Sequence, residues 1–141
     1  MVELGKVYLD ASIVIRRTLD QPGALQGVDL SSAFSSELLI GELFRTLDRL
    51  RVGGMPADEL AKLRVNADRN LDGVSLIPVD KVVLNRAGGP FPTLIKTLDA
   101  IHLATALLWA DHAGDIVFLT HDRQLAITAR ACGLQVYPQL V

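Results

Sequence analysis

Val7-Tyr8-Leu9-Asp10-Ala11-Ser12 is the stretch whose reading decides the fold. Three apolar residues in a row, without the alternation of a half-exposed strand, read as a short strand buried on both faces. Asp10 closes the run, and a helical pattern follows to about Leu19, broken by Gln21-Pro22-Gly23. The same grammar returns at Val117-Phe118-Leu119-Thr120-His121-Asp122, an apolar run that ends in an acid and passes into a helix. Working outward, Val74 to Val79 reads as a further strand, Leu134 to Tyr137 as a last short one, and Ala33-Phe34 as a brief one. A helix is expected from a Ser35 or Ser36 cap to about Arg51, with Leu39, Leu43, Leu47 and Leu50 on one face. Another starts at Pro56, with Asp58 and Glu59 in its first turn. Asp80 caps one to about Ala87, and Thr97 caps one from Leu98 to about His112. The last runs from Asp122 to Cys132 and stops at Gly133. Strands alternating with helices in this way imply an α/β fold, a central parallel sheet covered by helices on both faces.

The 141 residues, without linker, repeat or low-complexity tract, are expected to form one domain, 1–141, large enough to bury a core. Half the residues are hydrophobic and mean hydropathy is +0.32, which suggests a heavily buried sheet or a self-association surface. No apolar run could cross a bilayer: the best, Ala100 to Ala110, contains His102 and is flanked by Asp99 and Asp111. The start reaches an acid at Glu3 and lacks a basic region followed by an apolar one, so no signal peptide is expected. A single cysteine, Cys132, excludes an internal disulfide, fits a reducing cytoplasm, and has no CxxC or CxxH partner for a metal. Net charge −2 excludes a bulk polyanion binder. Ten Arg against four Lys tilts the basic complement slightly toward bidentate phosphate contact.

Four acids stand out against this apolar background: Asp10, Glu42, Asp99 and Asp122. A carboxylate beside so much apolar surface is costly unless something positive meets it. In an open α/β sheet, sites form outside the carboxyl ends of the strands, where Asp10 and Asp122 fall. Four converging acids would suit a hard divalent cation. Each acid also has a plain structural role open to it. Asp10 and Asp122 each suit a helix N-cap, and Asp99 lies in a first turn, where the macrodipole favours an acid. Glu42 interrupts an apolar stripe and would pair with Arg45 or Arg49. Ser12 and Thr120 neighbour two of the acids and would hold a carboxylate or cap a helix. His102, one turn after Asp99, would orient that carboxylate, donate to a carbonyl, or simply pack. Glu37 lies about 140° around the helix from Glu42 and is not expected to share its face.

Tyr8-Leu9-Asp10-Ala11-Ser12 resembles the opening of PIN domains, whose first strand ends in an Asp followed two residues later by Ser or Thr. Ser36 through Glu42-Leu43-Phe44-Arg45 is similar to their second acidic segment. Leu98-Asp99-Ala100-Ile101-His102-Leu103-Ala104-Thr105-Ala106 resembles their third motif, the most specific of the set. Leu119 to Leu125, then Ala129 to Val136, resembles the closing one. Order, spacing and length are most similar to VapC toxins of prokaryotic toxin–antitoxin pairs. The resemblance implies a Mg²⁺- or Mn²⁺-dependent endoribonuclease in which Asp10, Glu42, Asp99 and Asp122 hold one or two ions, supported by Ser12 and Thr120. It implies a cognate VapB-like antitoxin that blocks the site with an Arg or Lys, an RNA substrate and a homodimer. Arg16, Arg45 and Arg123 are the expected contacts to RNA phosphates. Two other readings are a catalytically degenerate PIN scaffold that binds a protein or RNA partner and a small-phosphate-ester phosphatase. Against the latter, Ser12 stands where haloacid dehalogenase-type enzymes carry a second Asp.

Overall fold

Val7–Leu9 (β1) lies at the centre of a five-stranded parallel sheet, fully buried on both faces. The computed structural model describes residues 4–138. Around β1 the chain runs α1 (Ala11–Thr18), β2 (Phe34–Ser36), α2 (Leu38–Val52), α3 (Ala57–Leu71), β3 (Ser75–Ile77), α4 (Lys81–Ala87), α5 (Thr97–Ala113), β4 (Val117–Leu119), α6 (Arg123–Ala131) and β5 (Gln135–Tyr137). The sheet order is β3-β2-β1-β4-β5. The chain therefore builds outward to one side of β1, crosses over through α4 and α5, and builds outward to the other. That reversal makes the carboxyl ends of β1 and β4 the topological switch point where α/β proteins place their sites. These two strands pair in register, with Leu9 opposite Leu119.

Period-two alternation sends β1 into two cores. Val7 and Leu9 pack with Ile13, Val14, Leu39, Leu43 and Leu47 from α1 and α2. Tyr8 faces the other way, onto Phe118, Leu103 and Leu125. α5 is the most deeply sunk helix, buried without a break from Ala100 to Ala106, which explains its near-continuous apolar sequence. Among the described residues no helix is long and apolar enough to cross a membrane. α3 is the opposite case: only Ala67 is buried and Val65 stands exposed.

Several boundaries differ from the sequence reading. β2 covers Phe34–Ser36 rather than Ala33-Phe34, because the two serines are buried in the sheet: Ser35 Oγ donates to the Leu9 carbonyl at 2.6 Å. Ser36 still serves the next helix, its Oγ accepting from the Leu38 N–H at 3.1 Å, while Glu37 occupies the cap position, exposed. Thr97 is the first residue of α5 rather than its cap. Lys96 holds that place and makes no side-chain bond. Asp122 precedes α6 instead of opening it. The strand expected over Val74 to Val79 narrows to β3, on the edge, where Ser75 is exposed. One glycine is structurally required. Gly73, at φ +82°, turns the chain from α3 into β3, and a Cβ there would stand 2.8 Å from the Ser31 carbonyl oxygen.

Candidate active site

Asp10 leaves the end of β1 buried, and two hydroxyls hold it. Thr120 Oγ1 donates to its Oδ2 at 2.5 Å and Ser12 Oγ donates to the same oxygen at 2.7 Å. Each hydroxyl also accepts a backbone N–H, Thr120 from Asp122 and Ser12 from His121, both at 2.9 Å. Each hydroxyl thus donates once and accepts once. The result ties the end of β1 to the end of β4. Of the two roles foreseen for Ser12 and Thr120, both hydroxyls hold a carboxylate and neither caps a helix, since Asp10 and Asp122 are the caps of α1 and α6.

Asp122 caps α6, its Oδ1 accepting from the Leu125 N–H at 3.0 Å. Glu42 projects from the second turn of α2. The ion pair expected with Arg45 or Arg49 is absent: Arg45 reaches Asp48 at 2.9 Å and Arg49 donates to Thr46. His102 takes their place, its Nε2 at 2.5 Å from Glu42 Oε1. His102 therefore holds Glu42 rather than Asp99, and its Nδ1 lies 2.9 Å from the Tyr8 hydroxyl. Burial pushes the Tyr8 phenol above its ordinary range, so it is a neutral donor. Asp10, Asp122 and Glu42 thus each anchor through one oxygen. Among the described residues the second oxygens of Asp122 and Glu42 accept no hydrogen bond, and Asp10 Oδ1 has only a long one of 3.4 Å from the Ser12 N–H.

Asp99, in the first turn of α5, has no side-chain hydrogen bond among the described residues. Burial first, then the charges of Asp10 and Asp122, push its carboxyl up to about 6; Glu42 adds to the rise and His102 opposes it. The four acids thus share one electrostatic neighbourhood. No Lys or Arg among the described residues forms an ion pair with any of them. Uncompensated carboxylates of this kind fit a hard divalent cation. No three acidic, His or Cys side chains among the described residues lie close enough to enclose an ion unaided. An open arrangement of that sort suits Mg²⁺, which keeps several waters and demands few protein ligands.

The arginines are distributed around this crevice unequally. Arg16, half-buried on α1, is near enough to His121 to lower the imidazole's affinity for protons, after burial, which is the larger cause. Among the described residues His121 Nε2 is buried without a partner. Arg123 is exposed at the start of α6. Arg45 is exposed and shared with Asp48. A hollow of about 350 Å³ joins Glu42 to Arg45, Arg49, Ile15, Leu38 and Leu98. The sequence reads Arg49 only as a pairing partner for Glu42, because a helix-surface arginine carries no signal of what it lines. A second hollow of about 240 Å³, around Arg17, Asp29 and Asn70, contains none of the four acids. Cys132 is free and half-buried, and burial pushes its thiol up, away from reactivity.

Fold and crevice define a class: a parallel α/β domain with carboxylates around its switch point that, among the described residues, pair with no Lys or Arg. The chain belongs to the PIN domain family, whose family model matches residues 7–131. It is 31% identical over 137 residues to Ribonuclease VapC46 of Mycobacterium tuberculosis, covering 94% of this chain and 97% of that one. Its fold is also similar to the crystal structure of PAE2754 from Pyrobaculum aerophilum, with a TM-score of 0.58 at 15% identity, over 96% of this chain and 92% of the other.

Proposed function

We propose that this chain is a Mg²⁺- or Mn²⁺-dependent endoribonuclease that acts as the toxin of a type II toxin–antitoxin pair. The observation that carries the metal reading is the state of Asp99: a half-buried carboxyl held up to about 6 chiefly by burial and by other acids, with no base paired to it. The similarity to a protein named as a ribonuclease supports RNA as the substrate.

In this reading Asp10, Glu42, Asp99 and Asp122 hold the ion. A divalent ion held there would supply positive charge beside the scissile phosphate and a water of lowered pKa, the chemistry of in-line hydrolysis to 5′-phosphate and 3′-hydroxyl ends. Ser12 and Thr120 keep Asp10 turned so that Oδ1 faces away from their hydroxyls. The Leu125 N–H does the same for Asp122. Arg16, Arg45 and Arg123 contact phosphates on either side of the cut, and Arg49 joins them along the hollow beside Glu42. A VapB-like antitoxin would inhibit by bringing an Arg or Lys to the same acids, since a cation of either kind relieves their repulsion. The exposed flank of α3 and the high apolar content favour a homodimer.

The test is cleavage of a defined RNA with Mg²⁺, with Mn²⁺ and in EDTA, by wild type and a folded Asp10→Asn variant. Cleavage only with metal and only by wild type is expected. Undiminished cutting in EDTA would rule out the metal mechanism, and hydrolysis of small phosphate esters but not RNA would favour the phosphatase reading.

A further inference from the structure

Glu42 is the odd acid of the four. Asp10, Asp99 and Asp122 sit at strand ends or in the first turn of a helix, whereas Glu42 stands inside α2 on a longer and floppier side chain. Two arginines on its own helix, three and seven residues on, are bonded elsewhere. Its partner comes from across the domain: His102, on α5, is fully buried, and Glu42 is largely covered.

We propose that Tyr8 and His102 form a positioning line that fixes the Glu42 carboxylate at the ion site, with His102 as the positioning residue. The proposal rests on Glu42 being an ion ligand, as argued above. A carboxylate only accepts, so Nε2 carries the proton in the contact with Oε1. Nδ1 then accepts from the Tyr8 O–H. The nearby hydroxyls give their protons to carbonyls, Ser35 to Leu9 and Thr105 to Ile101, so neither donates to Nδ1 in place of Tyr8. The rings cannot readily turn. Tyr8 lies stacked on Phe118, centroids 5.5 Å apart and 8° from parallel, and meets His102 edge-on at 5.9 Å and 73°. The tautomer is thereby assigned by packing on one side and by the carboxylate on the other.

The line also links two ligands through one strand. Tyr8 precedes Asp10 by two residues on β1, so the strand that presents Asp10 also sets, through His102, where Glu42 points. A His whose work was only to fill the core would satisfy its N–H on a carbonyl. Here the N–H goes to a carboxylate at the rim of the crevice and leaves Oε2 free. Residues that orient metal ligands in this way change metal affinity or activity by about 10- to 100-fold when removed.

Tyr8→Phe is the central variant, because it deletes one oxygen and touches neither Glu42 nor an ion. His102→Gln and His102→Leu accompany it, the former keeping an N–H near the Nε2 position and the latter keeping only bulk. Mn²⁺ affinity is measured by electron paramagnetic resonance on variants whose folding is checked by circular dichroism. Long-range ¹H–¹⁵N spectra of metal-free wild type report the His102 tautomer. We expect an Nε2-protonated ring, roughly tenfold weaker Mn²⁺ binding in Tyr8→Phe, and stronger binding by His102→Gln than by His102→Leu. An Nδ1-protonated ring in wild type, or wild-type Mn²⁺ affinity in a folded Tyr8→Phe and His102→Leu, overturns the proposal while leaving the metal reading standing. Failure of wild type itself to bind Mn²⁺ overturns the metal reading and this proposal with it.

Discussion

Replacing Asp99 by Asn should stabilise the metal-free protein while destroying its response to metal. In the metal-free chain Asp99 sits among three other acids with its carboxyl raised from an ordinary 3.8 to about 6. At about 1.4 kcal/mol per pH unit, that rise sets an upper figure of about 3 kcal/mol for the cost of ionising it at pH 7. The side chain is half-exposed, so solvent screening reduces the figure to about 1 kcal/mol. The favourable interaction of the charge with the start of α5 is given up and offsets a few tenths of that. The net gain corresponds to roughly 2–3 °C in Tm for a domain of this size. The direction with pH follows from the same shift. The folded chain holds this proton more tightly than the unfolded chain, so the stability it contributes is fully present below about pH 4 and is lost as pH rises to about 6. The advantage of Asn should therefore appear at pH 7 and shrink at pH 4. Metal reverses the order: at a hundredfold excess over its Kd, Mn²⁺ would stabilise wild type by about 2.7 kcal/mol and the variant far less. Differential scanning calorimetry at pH 4 and 7, with and without Mn²⁺, reads all four corners. A variant less stable than wild type without metal at pH 7, yet equally stabilised by Mn²⁺, would refute the argument.

Thr120→Val and Ser12→Ala should each cut RNA cleavage more than they lower Tm, because they release Asp10 Oδ2 without removing a charge; the double variant should fall furthest, and kcat at saturating metal is the readout. Arg123→Ala, and with it Arg16→Ala and Arg45→Ala, should weaken RNA binding across sequences and flatten its dependence on salt by about one unit of log–log slope each, measured by fluorescence anisotropy with Ca²⁺ in place of Mg²⁺. Unchanged affinity and slope in all three would remove them from the phosphate track. Light scattering at tens of micromolar should give the mass of a dimer, and a monomer mass would count against the self-association surface.

What could be read from the sequence was whatever is local. Asp10 and Asp122 were legible because an apolar run ending in an acid and followed by a helix is a pattern within about six residues. The parallel sheet was legible because Val7-Tyr8-Leu9 and Val117-Phe118-Leu119 do not alternate, which only a strand covered on both faces tolerates. The cap of α5 was misplaced because Thr97 is the better capping residue by chemistry, yet the backbone at Lys96 is the one that is extended; tertiary packing decided it. The partner of Glu42 was out of reach for a different reason. Helical spacing points to Arg45 and Arg49, and the residue that binds it lies 60 positions away, itself held by one 94 positions from it. Only the crossover through α4 and α5 brings them together.

The bond from Thr120 to Asp10 spans 110 residues of chain. That span gives the site a position in time as well as in space. Synthesis makes Asp10, Glu42 and Asp99 before β4, but until β4 inserts beside β1 Asp10 has only the neighbouring Ser12 to hold it and nothing presents Asp122. Parallel strands joined by long crossovers are also the slowest kind of contact to form. The crevice is therefore among the last features to exist in each newly made molecule, and a chain cut short before Thr120 holds three of the four acids but no assembled site.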